Sequence, residues 1–266
     1  MKGFIYYEEV DAVRNRWFID ELIKAGAVYD LDMEVRVDDE TGLDTAEFVV
    51  YRGRDFEVCR RWEQQGLLVV NRSEVNRIAN DKLQTFQLSA LLGIPAIPTK
   101  VLTAAADIPE FPVVVKTTNG HGGKDVHLCE TAADVEQTIS HYTDERLLVQ
   151  PFIRHDSSDV RLYVIGDEVV GAVRRMGVTN FKANVALGGT AEQFDAPAPL
   201  RDFAERLAKA LKSDYMGVDF IQNSDGVWLL NEIEDPVGAR SLYETSELNV
   251  AQEVMRHIHK KLSKSL

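Results

Sequence analysis

Trp228-Leu229-Leu230-Asn231-Glu232-Ile233-Glu234 is the stretch on which the fold turns: seven residues with apolar side chains on both faces of a strand and two carboxylates set two apart. Side chains alternate across a strand, so Glu232 and Glu234 leave it on one side. Upstream, Gly217–Gln222 is a second strand, and Asn223-Ser224-Asp225-Gly226 between them is a turn, which makes an antiparallel hairpin. A symmetric turn sets Asp219 opposite Leu230 and diagonal to Glu232, with both carboxylates on one face. Acids facing solvent are the ordinary alternative. A strand apolar on both sides is a covered one, however, and uncompensated carboxylates there are costly, so a cation or a basic partner is expected, with magnesium between Asp219 and Glu232 the favoured reading.

Working outward, Val160–Ile165 and Glu168–Arg175 flank Gly166-Asp167 as another hairpin, Leu200–Lys212 has helical spacing, and Leu248–Leu262 is a closing amphipathic helix. Arg161, Arg174, Arg175, Lys182 and Asn184 gather around this hairpin at 160–175 and the segment following it. Arg161 alternates with Leu162 and Val164 and is expected to face the carboxylates, where a guanidinium fork suits phosphate or carboxylate groups. For Arg175 and Lys182 a plain surface role is the stronger reading.

Further upstream, Val113-Val114-Val115-Lys116 runs into Gly120-His121-Gly122-Gly123-Lys124-Asp125-Val126. Three glycines in four residues let backbone amides approach a polyphosphate, and Lys116 supplies a point charge. The loop is neither a Walker A motif nor a dinucleotide fingerprint, and a simple hairpin turn competes evenly with phosphate binding. His121 fits either a phosphate contact or a turn. Asn80–Leu92 is a helix closed by Gly93, Ala132–Tyr142 another, and Leu147–Gln150 a strand. Residues 1–70 read as an α/β layer with an amphipathic stretch Asp11–Ala25 ending at Gly26, then strand, helix and strand at Ala46–Tyr51, Phe56–Gln65 and Leu67–Val70.

Composition bounds the function. The 266 residues are 45% hydrophobic and carry a formal charge of −13 without a basic cluster, which argues against a nucleic-acid surface. Met1–Tyr7 meets acidic residues at once, giving neither a signal peptide nor a membrane span, and a cytoplasmic protein is expected. Cys59 and Cys129 lie too far apart in sequence for a Cys-x-x-Cys motif, and the six histidines, His257 and His259 included, have no metal-ligand spacing.

In their order, Asn80-Asp81-Lys82, Pro112–Lys116 with the glycine loop, Leu148–Ile153, Asp159–Arg161 with Gly166–Val170, Phe181–Asn184 with Gly188-Gly189, Gly217–Asp219 and Asn231–Glu234 resemble the ATP-grasp superfamily, most closely its RimK-type peptide and amino-acid ligases. The resemblance runs from Asn80 to Ala239, while the first 75 residues match only in character. It implies an ATP-grasp α/β fold with a small open-sheet domain at 1–75, a central lobe at 76–150 and an antiparallel-sheet lobe at 151–266 clamping ATP.

By the same resemblance, Lys82 and Lys116 contact ATP phosphates, Gly120, His121, Gly122 and Gly123 close over them, and Gln150, Pro151, Phe152 and Ile153 form the hinge that reads adenine. Asp219, Glu232 and Glu234 hold one or two Mg2+ (or Mn2+), with Glu234 standing where the family usually has asparagine. Arg161, Arg174 and Asn184 stabilise the transferring phosphoryl group. Arg240, in an atypical loop after Glu234, is a candidate for binding an amino-acid-like substrate. The implied activity is ligation of a carboxylate to an amine, on small-molecule or peptide substrates, in a chain that suits a homo-oligomer. A kinase acting on a non-carboxylate acceptor and a non-catalytic ATP-binding module are the alternatives.

Overall fold

The computed structural model describes residues 1–123, 125–154, 158–177 and 189–264. The first sheet is parallel in the order β2-β1-β3-β4, built from β1 (Lys2–Tyr7), β2 (Asp32–Val37), β3 (Phe48–Tyr51) and β4 (Leu68–Val70). The runs Phe4-Ile5-Tyr6-Tyr7 and Phe48-Val49-Val50-Tyr51 are buried throughout because helices cover both faces, as parallel sheets require. Ile5, Tyr7 and Val50 pack toward α2 (Arg16–Val28), which follows α1 (Glu9–Arg14). Phe4, Tyr6, Val49 and Tyr51 pack with Trp62 of α3 (Phe56–Gln64).

Asn15 divides the expected single helix in two, and the second part runs through Gly26 to Val28. A Cβ on Gly26 would lie 2.7 Å from Met33 Cγ, so that glycine serves the close approach of α2 to β2 rather than a helix end. The strand β2 was not expected from its half-exposed, charged sequence.

After α4 (Ser73–Ala79), the helix expected at 80–92 begins at Lys82 as α5 (Lys82–Leu91), with Asp81 accepting from the Leu83 and Gln84 amides as its N-cap. An antiparallel sheet follows in the order β5-β8-β6-β7: β5 (Lys100–Val101), β6 (Val113–Thr117), β7 (Val126–Cys129) and β8 (Leu147–Pro151). Val113, Val115, Cys129 and Leu147 bury one side of it against Val135 of α6 (Ala132–His141).

The third sheet, β11-β10-β9-β12-β13, is antiparallel, with β9 (Ser158–Ile165), β10 (Glu168–Met176), β11 (Thr190–Gln193), β12 (Tyr215–Gln222) and β13 (Trp228–Glu234). Val160, Leu162, Val164, Val218 and Phe220 face α7 (Ala198–Leu211) through Leu200, Ala204 and Leu207. Its opposite face carries Tyr163, Ile165 and Tyr215, which join Met255 and Ile258 of α9 (Val250–Ser263) in the core that also holds α2, while α8 (Arg240–Thr245) contributes Leu242. The first and third sheets thus share one core, and this fixes the ends of β1 and β3 against the carboxylate-bearing sheet.

Candidate active site

The hairpin register differs from the expected one. Asn223 accepts through its side chain from the Asp225 and Val227 amides, so the turn is wider and Gln222 pairs with Trp228. A bulge then leaves Asn231 without a cross-strand partner and sets Asp219 directly opposite Glu232. The face predicted for the two carboxylates is unchanged, but they are direct neighbours rather than diagonal ones. Oxygens of Asp219, Glu232 and Glu234 lie within 4.8 Å of one another. Three hard oxygen donors of this kind suit magnesium or manganese.

Strand alternation brings Asp159, Arg161, Arg175 and Asp219 to the same face. Arg161 donates to both oxygens of Asp219 at 2.7 Å and pairs with Glu234 at 2.6 Å. Arg175 bridges Asp159, at 2.7 and 2.6 Å, and Asp219, at 2.6 Å. Burial opposes the charge on Asp219, but Arg161 and Arg175 outweigh it and hold its pKa below the ordinary carboxylate range. For Asp159 burial prevails, pushing the pKa up to about 6 although Arg175 pulls it down.

Arg174 is therefore a correction. It pairs with Val160 on the opposite face, its guanidinium carbon 4.9 Å from the Phe194 ring centre, and does not line the cleft. Arg175, read as a surface residue, takes the cleft position because it lies an even number of residues from Val173, which pairs with Arg161. Asn184 and Lys182 lie outside the described residues.

Across the cleft, Lys82 reaches Glu232 at 3.3 Å and donates to the Gly120 carbonyl. Lys116 is 5% exposed, its ammonium 5.1 Å from the Phe86 ring centre. Burial lowers its pKa to about 7, with Glu232 opposing and Lys82 adding to the fall. The loop Gly120, His121, Gly122 and Gly123 lines the same cleft, and Gly122 and Gly123 adopt φ of 66° and 71°, which disfavours side chains. At its base Asp125 accepts from the Tyr142 hydroxyl at 3.2 Å.

Gln150, Pro151, Phe152 and Ile153 also line the cleft. The Gln150 side chain is buried and donates to Thr99 Oγ1 at 2.7 Å, and the Phe152 amide donates to Pro112. Sequence reasoning missed the apolar slot beside them, lined by Ile97, Val114 and Ile221, which suits a planar base. It also missed Arg52 and Arg54, which follow β3, and Arg14 at the end of α1, all far from the motifs. Arg240 opens α8 at the rim of that same end.

These residues surround one cleft of about 1110 Å³. Three sheets, with a glycine loop on one lip and a carboxylate-bearing antiparallel sheet on the other, define the ATP-grasp fold. The chain superposes on D-cycloserine synthetase with a TM-score of 0.80 at 19% identity, covering 98% of this chain and 100% of that one. It likewise matches the ATP-grasp ligase PsnB, complexed with minimal precursor, Mg and ADP, at a TM-score of 0.69 and 17% identity, covering 96% of each.

The chain belongs to the RimK-like ATP-grasp family, whose domain description matches residues 79–258. An uncharacterised protein of Mycoplasma genitalium is 30% identical over 271 residues, 98% of this chain and 93% of that protein. A probable alpha-L-glutamate ligase of Pseudomonas fluorescens is 30% identical over 214 residues, 76% and 71% of the two chains. Among the described residues no helix is long and apolar enough to cross a membrane.

Proposed function

We propose that this protein is an ATP-dependent carboxylate-amine ligase that activates an amino-acid or peptide carboxylate as an acyl phosphate. The observation that carries the reading is the grouping of Asp219, Glu232 and Glu234 with Arg161, Arg175, Lys82 and Lys116 around one cleft. The name of the glutamate ligase relative and the ligase bound to Mg and ADP support it. On this reading residues 76–150 and 151–266 hold the nucleotide between them, and residues 1–75 close the substrate end.

A carboxylate is a poor electrophile because its charge is delocalised. Its oxygen attacks the γ-phosphorus of ATP, the bond to the β-phosphate oxygen breaks, and ADP leaves. The amine then attacks the carbonyl carbon, the C–O bond to phosphate breaks, and the nitrogen loses a proton. Asp219, Glu232 and Glu234 would hold magnesium, which would supply charge neutralisation on the phosphates. Lys82, Lys116 and the amides of Gly120–Gly123 bind the polyphosphate, and the slot of Ile97, Val114 and Ile221 with the 150–153 hinge takes the adenine. Arg161 and Arg175, tied to carboxylates in the free protein, turn guanidinium donors toward the transferring group.

The test is ADP release with magnesium-ATP against amino acids and dipeptides, with hydroxylamine to trap activated acid. Hydroxamate formed only with particular acids, and lost in Lys116→Ala and Glu232→Ala, is expected. A stable phosphoester in its place would mean a kinase, and nucleotide binding without turnover across the panel would mean a binding module.

A further inference from the structure

At the far end of the cleft β1 and β3 finish side by side. The chain leaves β1 for β2 on one side and β3 for β4 on the other, so the order β2-β1-β3-β4 makes this edge a switch point, where open α/β sheets present a crevice. Arg52 follows β3 there, lines the cleft and is only 5% exposed. Its Nε donates to the Tyr7 hydroxyl at 3.2 Å and its Nη2 to the Val237 carbonyl at 2.6 Å. The guanidinium carbon is 5.8, 5.6 and 5.9 Å from the ring centres of Tyr7, Phe18 and Tyr215.

Arg161 and Arg175, equally buried, each hold two carboxylates. Arg52 forms no ion pair among the described residues. The charge of Asp235 acts on it without an ion pair, and the two Asp235 oxygens are held by Asn71 and Asn76 at 2.9 and 3.0 Å. A buried cation with only neutral acceptors is costly, and the aromatic rings offset part of that cost. The Tyr215 hydroxyl is buried as well, with no hydrogen-bond partner among the described residues. Around the rim stand Arg14, Arg54, which pairs with Asp11 at 2.8 Å, and Arg240, with Asp11 and Glu244 among the acids beside them.

We propose that Arg52 is a specificity-determining residue that binds a spectator carboxylate, one the ligation does not consume, with Arg54 and Arg240 attracting it at the rim. This rests on the ligase reading. Two sources share the chemistry: a second carboxylate on the activated acid, or the carboxylate of an amino acid that supplies the amine. The plain alternative is that Arg52 only staples β3 to Val237.

L-glutamate, with an amine and two carboxylates, is the probe, titrated calorimetrically into protein loaded with Mg-ADP. The expected result is binding by the wild type, weakening of at least about tenfold in Arg52→Gln, and partial retention in Arg52→Lys, with ADP affinity unchanged. With hydroxylamine as the only amine, a raised KM for the acid in Arg52→Lys assigns the carboxylate to the acid component. A rise seen only when an amino acid is the amine assigns it to the other. Unchanged L-glutamate affinity with a lowered melting temperature, or no binding by the wild type, overturns the proposal.

Should Arg52→Gln fail to fold, the wild type decides. Selective loss of binding with L-glutamine or L-isoglutamine supports the proposal, and equal binding of all three probes refutes it. Hydroxamate formation with every KM unchanged in Arg52→Lys refutes this inference alone, whereas Arg52-dependent binding without turnover refutes the ligase reading alone.

Discussion

The two ends of the cleft are both rich in arginine but are wired in opposite ways. At the end formed by β9, β10, β12 and β13, Arg161 and Arg175 are locked to Asp159, Asp219 and Glu234, so positive and negative charge largely cancel. At the end formed by β1 and β3, Arg52 is buried against neutral acceptors and rings. The first arrangement is self-sufficient and is suited to exchanging partners when nucleotide arrives. The second lacks its counter-charge within the described residues. On the ligase reading proposed above, nucleotide chemistry and substrate choice fall to different ends of one cavity.

The contrast breaks most severely by removing a carboxylate from the first end. Glu232→Ala, which takes a ligand from the carboxylate trio and the partner of Lys82, is expected to lower kcat/KM for ADP release by about 10³-fold, measured under saturating magnesium. Arg175→Ala comes next, with a fall in kcat of about 10²-fold and a smaller change in the KM for ATP. A loss confined to KM would put Arg175 in ground-state binding instead.

Acidity sharpens the comparison. Lys116 titrates near pH 7 in the free protein because burial disfavours its ammonium, while ATP phosphates favour it. Above that pH the free protein holds neutral amine, so binding must take up a proton. ATP affinity should fall by about tenfold per pH unit above about 7, until the pKa of the bound state is passed. Calorimetry in buffers of differing ionisation enthalpy checks this, and Lys116→Met should abolish the slope. The smallest effect is expected from Arg174→Ala: turnover within about twofold of wild type, and a stability loss of order 1 kcal/mol from the lost contact with Phe194, followed by thermal denaturation.

Arg174 and Arg175 also show what the sequence could and could not convey. The hairpin around Asp219 and Glu232, the glycine loop and the helix carrying Lys82 are local patterns, readable because strand alternation and turn residues act over a few positions. Parity along β10 was not: a symmetric hairpin about Gly166-Asp167 pairs Arg161 with Ala172 and puts Arg174 in the cleft, whereas a bulge between Val169 and Gly171 shifts the register, pairs Arg161 with Val173 and puts Arg175 there. The register of β12 on β13 was hidden in the same way, by a bulge at Asn231. Arg14, Arg52, Arg54 and Arg240 were the least legible as a group, since only the packing of α2 against α9 and the shared core bring the first sheet to the third.

The acyl phosphate itself is the central claim, and oxygen transfer tests it most directly. The acid identified by hydroxamate trapping is labelled with 18O in its carboxylate and allowed to react with its amine partner and magnesium-ATP. Attack of a carboxylate oxygen on the γ-phosphorus, followed by C–O cleavage, predicts one 18O in the released phosphate for each amide formed. Amide and ADP formed with unlabelled phosphate would contradict the account.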